Sequence, residues 1–127
     1  MFVLHKQDLG LGVPMDYLPM AAEEEVSRGE ALVLSSGALT KCGATAKPTY
    51  VAVGPKDDVS GLVPVVKVQD YLIFATTLSA DGAALHVGDA VTLSADGLQV
   101  TTTTASGVAT IVSMDGTGVG DAVTVRL

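Results

Sequence analysis

Apolar residues of this chain fall in short runs, and turn residues interrupt the runs at a spacing of roughly 8–12 residues. The run 31–34 is closed by Gly37, and the run 90–93 by the Asp96-Gly97 pair. Glycine adopts the positive φ that tight hairpin turns require, so both sites are typical of a turn between strands. The pattern therefore predicts an all-β chain, folded as a small β-barrel or β-sandwich. Further strands are predicted at 38–40, 49–53, 63–68, 72–77, 98–101, 107–112 and 122–127.

The composition favours the same fold class. The 127 residues are 48% hydrophobic but contain no Trp, and 19 of them are Val and 13 are Thr. Such β-branched side chains suit a pleated, half-buried surface better than a helix. Only the run 21–26, which closely follows Pro19, has helix-forming residues, and we expect a helical turn there at most.

Five blocks of sequence in the first half of the chain recur in the same order in the second half. The pairs are 16–21 with 70–75, 28–35 with 87–94, Leu39 with Leu98, 50–53 with 107–110, and 61–68 with 120–127. Self-similarity at a fixed order indicates that one structural unit is repeated. We therefore predict two tandem related strand modules, 16–68 and 69–127, preceded by an extended arm at 1–15.

The charge balance argues against nucleic acid and membrane partners. The formal net charge is −7, and the segment 69–127 carries six aspartates against one base, Arg126. Phosphate groups require neutralisation by Lys and Arg, which this segment lacks. No apolar stretch approaches the ~20 residues that a membrane span needs. Cys42 is the only cysteine, which rules out an internal disulfide and fits synthesis in a reducing cytosol.

Catalytic chemistry is not expected. Nucleophilic catalysis needs a nucleophile, a base and an orienting group, and neither His5, His86 nor Cys42 belongs to such a motif. Seven of the ten aspartates stand beside glycines or in predicted turns, where they bond to their own backbone, so neither a metal site nor a cofactor is predicted. The acidic run 23–25 is a solvated face or a contact for a basic partner surface. A cysteine hydrolase is the weakest of the functional classes considered.

The arm at 1–15 lies outside the repeat and has two interpretations. It is a frayed or strand-adding terminus of this chain's own domain, or it binds a partner through its apolar side chains. In the second case the partner-binding residues are Phe2, Val3, Leu4, Leu9, Leu11 and Val13.

The segments 28–34, 37–40 and 50–54 resemble the small β-barrel proteins of tailed-phage virions, in particular the head decoration, or capsid cement, proteins. A Gly-acidic turn, a short apolar strand, a Gly-Leu hairpin and an apolar strand ending in Gly carry the resemblance. It implies a structural protein made in the bacterial host cytoplasm and located on the outer capsid surface of the virion. There it would bridge subunits of the major capsid protein, as a homo-oligomer, with a trimer favoured. The alternative is a receptor- or glycan-binding module of a phage fibre, a tail or a cell-surface adhesion protein.

Overall fold

The computed structural model describes residues 1–8 and 12–127, and this part of the chain is built from ten β-strands. No α-helix occurs in it, so the prediction of an all-β fold is confirmed and the run 21–26 contains only a turn. The strands are β1 (Val3–Gln7), β2 (Met15–Pro19), β3 (Ala31–Ser35), β4 (Ala38–Lys41), β5 (Tyr50–Ala52), β6 (Leu62–Lys67), β7 (Leu72–Thr77), β8 (Ala90–Val91), β9 (Ala109–Met114) and β10 (Ala122–Arg126).

The strands form two five-stranded antiparallel sheets, and the described strands of neither sheet close into a barrel. The first sheet has the order β2-β6-β5-β3-β4 and belongs to module 1. The second sheet has the order β1-β7-β10-β9-β8 and belongs to module 2, apart from β1. When β1 is set aside, the first four strands of each sheet follow the same path, which is the expected result of a tandem repeat.

Backbone hydrogen bonds repeat between the modules as well. Gly29 donates its N–H to the Ala52 carbonyl at 2.7 Å, and Gly88 donates to the Ile111 carbonyl at 2.9 Å. Both glycines have positive φ, 81° and 97°, so the turn before β3 and the turn before β8 share one conformation. The turn formed by a glycine and the acidic residue after it therefore has the same backbone conformation in both modules.

Cross-strand pairing gives a register that differs from the sequence match by two residues at Leu39 and in the block 50–53, and by more in the first strand of each module. Met20 forms a parallel bridge with Leu39, and Leu78 forms the same bridge with Val100. These bridges make Met20 the counterpart of Leu78, so the first pair of matched blocks is displaced by four residues. The Asp-Tyr-Leu likeness behind that match is local, whereas cross-strand pairing fixes the true register.

Two hydrophobic cores lie on opposite faces of the first sheet. The smaller core is inside module 1 and consists of Leu32, Leu39, Ala52, Val63 and Val65. The larger core fills module 2, where Phe74 and Leu93 are buried. It also contains Ala31, Val51 and Val66 from the other face of the first sheet. The modules therefore pack around a shared core.

Backbone contacts reinforce this junction. Ala31 donates its N–H to the Gly97 carbonyl at 2.8 Å, and Leu93 donates to the Ala44 carbonyl at 2.9 Å. Each bond joins one module to the other and satisfies a backbone group at a buried residue. The two modules consequently form one packed unit.

The N-terminal segment is extended, but it is docked on this chain. Strand β1 pairs antiparallel with β7, with a bulge between Leu4 and Lys6. Phe2, just before β1, is only 2% exposed and belongs to the larger core. The interpretation as a strand-adding terminus therefore describes residues 2–7, because burial of Phe2 and pairing with the β7 edge hold them in place.

Candidate partner-binding surface

The residues predicted to contact a partner lie in different environments. Val3 and Leu4 are exposed on β1, whereas Phe2 is buried in the chain's own core. Val13 is half-buried and packs against the larger core. Leu9 and Leu11 lie outside the described residues. Val3 and Leu4 thus remain the members of the predicted set with a substantial exposed surface.

An apolar groove separates β1 from the first sheet. It encloses a cavity of about 170 Å³. Arg28 is the one ionisable side chain among its lining residues. The lining residues are Met1, Phe2, Val3, Leu4, Arg28, Val51, Ala52, Val53, Val66 and Phe74. The groove offers hydrophobic contact to an apolar side chain, and its lining provides little for a polar ligand.

A second exposed apolar surface lies on β2 beside this groove. Met15 is 49% exposed and Tyr17 is 58% exposed, and they project from the same face because side chains alternate along a strand. They stand opposite Val66 and Pro64 of β6. Val66 also lines the groove together with Leu4. We call the surface formed by Met15, Tyr17 and Leu4, which border the buried Val66, the apolar strip.

Sequence reasoning missed Met15 and Tyr17 as candidate contact residues. Tyr17 belongs to the repeated block 16–21, and Met15 is the last residue of the predicted arm. The signal was present in the alternation Met15-Asp16-Tyr17-Leu18, which indicates a strand with two different faces. Which face is covered depends on the packing of module 2 against the first sheet, and local alternation does not specify this.

Cys42 is buried and engaged in the fold. Its thiol donates a hydrogen bond to the Ala46 carbonyl at an Sγ–O distance of 3.0 Å. Burial raises the pKa of the Cys42 thiol to about 11, since the thiolate is poorly solvated there. At neutral pH the group is the protonated thiol, which is a poor nucleophile.

The raised pKa gives a prediction for the reactivity of Cys42. Iodoacetamide at pH 8 should alkylate the folded protein about a hundredfold more slowly than the protein in denaturant. In the folded protein a smaller fraction of Cys42 is thiolate, and the reagent reaches the sulfur less easily. Mass spectrometry of samples quenched over time measures both rates. Equal rates in the folded and denatured protein would contradict the buried placement.

The turn aspartates are occupied by their own turns. The Asp57 carboxylate accepts hydrogen bonds from the Ser60 hydroxyl at 2.6 Å and the Ser60 N–H at 2.9 Å, which lower the pKa of Asp57. The pKa of Asp96 is lowered by hydrogen bonds from the Ser94 hydroxyl and the Leu98 N–H. Within residues 1–8 and 12–127, no group of three or more His, Cys, Asp or Glu is arranged to hold a metal ion. These carboxylates act as turn caps.

Comparisons with protein-family models, with curated proteins and with solved structures found no match to this chain. The described part of the chain also contains no helix long and apolar enough to span a membrane.

Proposed function

We propose that this protein is a structural component of a tailed-phage virion that binds the outer surface of the capsid and stabilises it by bridging major capsid protein subunits. The observation that carries the proposal is the apolar strip, which places Met15, Tyr17 and Leu4 on one exposed surface beside an apolar groove. Exposed apolar patches bordered by polar residues are typical of protein–protein contact sites. The sequence resemblance of 28–34, 37–40 and 50–54 to head decoration proteins supplies the partner.

The charge of the chain supports an outer location. A net charge of −7 repels packaged DNA and suits a surface that faces solvent. Under this proposal the protein is made in the bacterial cytoplasm and assembles on the shell as a homo-oligomer, with a trimer favoured. Binding in this scheme is burial of apolar surface between subunits, with no chemical step.

Replacing Tyr17 with lysine tests the proposal. A charged side chain within the apolar strip should weaken binding to capsid shells about thirtyfold or more, the loss expected of a buried interface residue worth about 2 kcal/mol. The measurement is co-sedimentation with shells of the phage that encodes the chain, stripped of this protein. Binding is titrated over a range of protein concentrations.

The matched control is Val59→Lys. Val59 is an apolar residue 95% exposed in the loop before β6, so the same charge is added outside the strip. This variant should bind shells as the wild type does. Wild-type binding by Tyr17→Lys would contradict a role for the strip, and failure of the wild type itself to sediment with shells would contradict the proposed function.

A further inference from the structure

Strand β2 has an open hydrogen-bonding edge. Val53 donates its N–H to the Pro64 carbonyl at 2.9 Å, so the backbone of Pro64 is directed toward β5. Tyr17, which stands opposite Pro64, therefore occupies a non-hydrogen-bonded position of the β2–β6 ladder. By alternation the N–H and C=O groups of Met15 and Tyr17 are directed away from β6. On that side β4 reaches only the end of β2, through the Met20–Leu39 bridge and a hydrogen bond from the Ala21 N–H to the Leu39 carbonyl, so among the described strands the edge is open at Met15 and Tyr17.

The equivalent edge of module 2 is filled. The register given by the two parallel bridges makes Ile73 and Ala75 of β7 the counterparts of Met15 and Tyr17. These residues of β7 are where β1 pairs, with Val3 opposite Ala75. Module 2 thus has an antiparallel strand, β1, on the edge that is open in module 1. The repeat indicates that an antiparallel strand also fits the open edge of β2.

The two outer edges of the molecule are protected to different degrees. The free side of β1 carries a bulge between Leu4 and Lys6, and both a bulge and a lysine discourage pairing with another chain. The β2 ladder runs from Met15 to Pro19 without a register shift, and β2 contains neither Lys nor Arg. Its protective residues are Asp16, a single charge, and Pro19, at the end of the strand. An edge this regular is a ready template for strand addition.

We propose that the open edge of β2 binds an extended segment of a partner protein as an added antiparallel strand, in the position that β1 takes on β7. The identity of the partner as a capsid protein rests on the proposed function, whereas the mode of binding does not. By analogy with Phe2 and Val3, one apolar side chain of the segment packs beside Leu18 and the next beside Tyr17. Leu18 is half-buried against the smaller core, so the segment completes that core.

A second copy of this chain is the weaker candidate for the occupant. Its β1 is held on its own β7 by the burial of Phe2 and by the Arg126–Asp8 ion pair, in which a guanidinium nitrogen lies 2.8 Å from a carboxylate oxygen. Release of β1 would expose the larger core. Pairing of β2 with β2 of another copy about a Tyr17-centred dyad would place Pro19, which has no N–H, opposite Met15.

A peptide of this chain's own residues 1–8 is the probe, because that sequence pairs with the counterpart edge. The full chain is labelled with ¹⁵N and titrated with the peptide to millimolar concentration. Chemical-shift changes should centre on Met15 and Tyr17, and hydrogen exchange of the Tyr17 amide should slow. Tyr17→Pro removes an outward N–H and should weaken binding about tenfold or more. Tyr17→Ala keeps that N–H and should still bind at β2.

The matched control is Val87→Pro, which introduces the same residue at an exposed position of the turn 86–89 in module 2, where the Asp89 N–H bonds to the His86 carbonyl and Gly88 has positive φ, and which should leave peptide binding unchanged. The proposal is overturned if the peptide causes no shift, if the shifts centre away from β2, or if Tyr17→Pro binds like the wild type. Concentration-dependent self-association through β2 without peptide would overturn it in favour of a second copy. If the protein binds shells but not the peptide, strand addition is contradicted and the proposed function stands. If it binds the peptide but not shells, the proposed function is contradicted and strand addition stands.

Discussion

Replacing Phe2 with alanine is expected to lower the free energy of unfolding by about 3–5 kcal/mol, the usual cost of removing a buried phenylalanine ring. The ring is buried in the larger core, next to a strand whose neighbour in the sheet is β7. Loss of the ring leaves a cavity and weakens the attachment of β1. Urea denaturation followed by circular dichroism measures the change.

The matched control for this variant is Val3→Ala. Val3 is the next residue along the chain but projects from the exposed face of β1, so its truncation should cost less than about 1 kcal/mol. A similar small effect of both variants would show that Phe2 does not anchor the segment. The comparison matters for functional tests, because removing residues 1–13 would damage the core as well as any binding surface.

Local patterns were sufficient to predict the class of the fold and most of its strands. The run 72–77 was predicted as a strand and is Leu72–Thr77, and the run 38–40 is Ala38–Lys41. Short apolar runs closed by turn residues determine such elements, since both signals act within a few residues. The tandem repeat was visible for the same reason, because the Gly-acidic turn and the strand after it recur with their local hydrogen bonds.

The role of the first two strands was beyond local patterns. Nothing in 1–8 specifies that Phe2 enters a core built mainly by the second half of the chain, so the segment was described as an arm. The segment 98–101 was predicted as a strand but is not one in the structure, since Val100 forms only isolated bridges. Pairing between distant segments depends on the surfaces that the whole fold leaves open, and propensity alone does not encode it.

The outer face of the first sheet is divided between buried core and exposed surface. One part of the outer face of the first sheet, including Val51 and Val66, is covered by module 2 and became core. The adjacent part, at Met15 and Tyr17, is apolar but uncovered. The division between core and binding surface on this face is therefore set by how far module 2 extends across the sheet.

Replacing Gly107 with alanine is expected to lower the free energy of unfolding by about 3 kcal/mol, at the upper end of the usual cost of overpacking. A β-carbon at this position would overlap the Ala90 carbonyl group and lie 2.7 Å from the Val91 nitrogen. Backbone atoms cannot rotate away as a flexible side chain can, so β8 must move from β9. That movement breaks the hydrogen bond from the Val108 N–H to the Val91 carbonyl, 2.9 Å long, beside a buried part of the larger core.

Gly12→Ala is the control for the glycine replacement, since a β-carbon there would meet no atom of residues 1–8 or 12–127 within 4 Å. It should change stability by less than about 0.5 kcal/mol, as is usual for a surface substitution without strain. The same denaturation measurement compares the two variants. If Gly107→Ala is as stable as the wild type, β8 is not held against β9 as tightly as the structure has it. In that case the shared core must depend on contacts elsewhere, because β8 carries Val91 into that core.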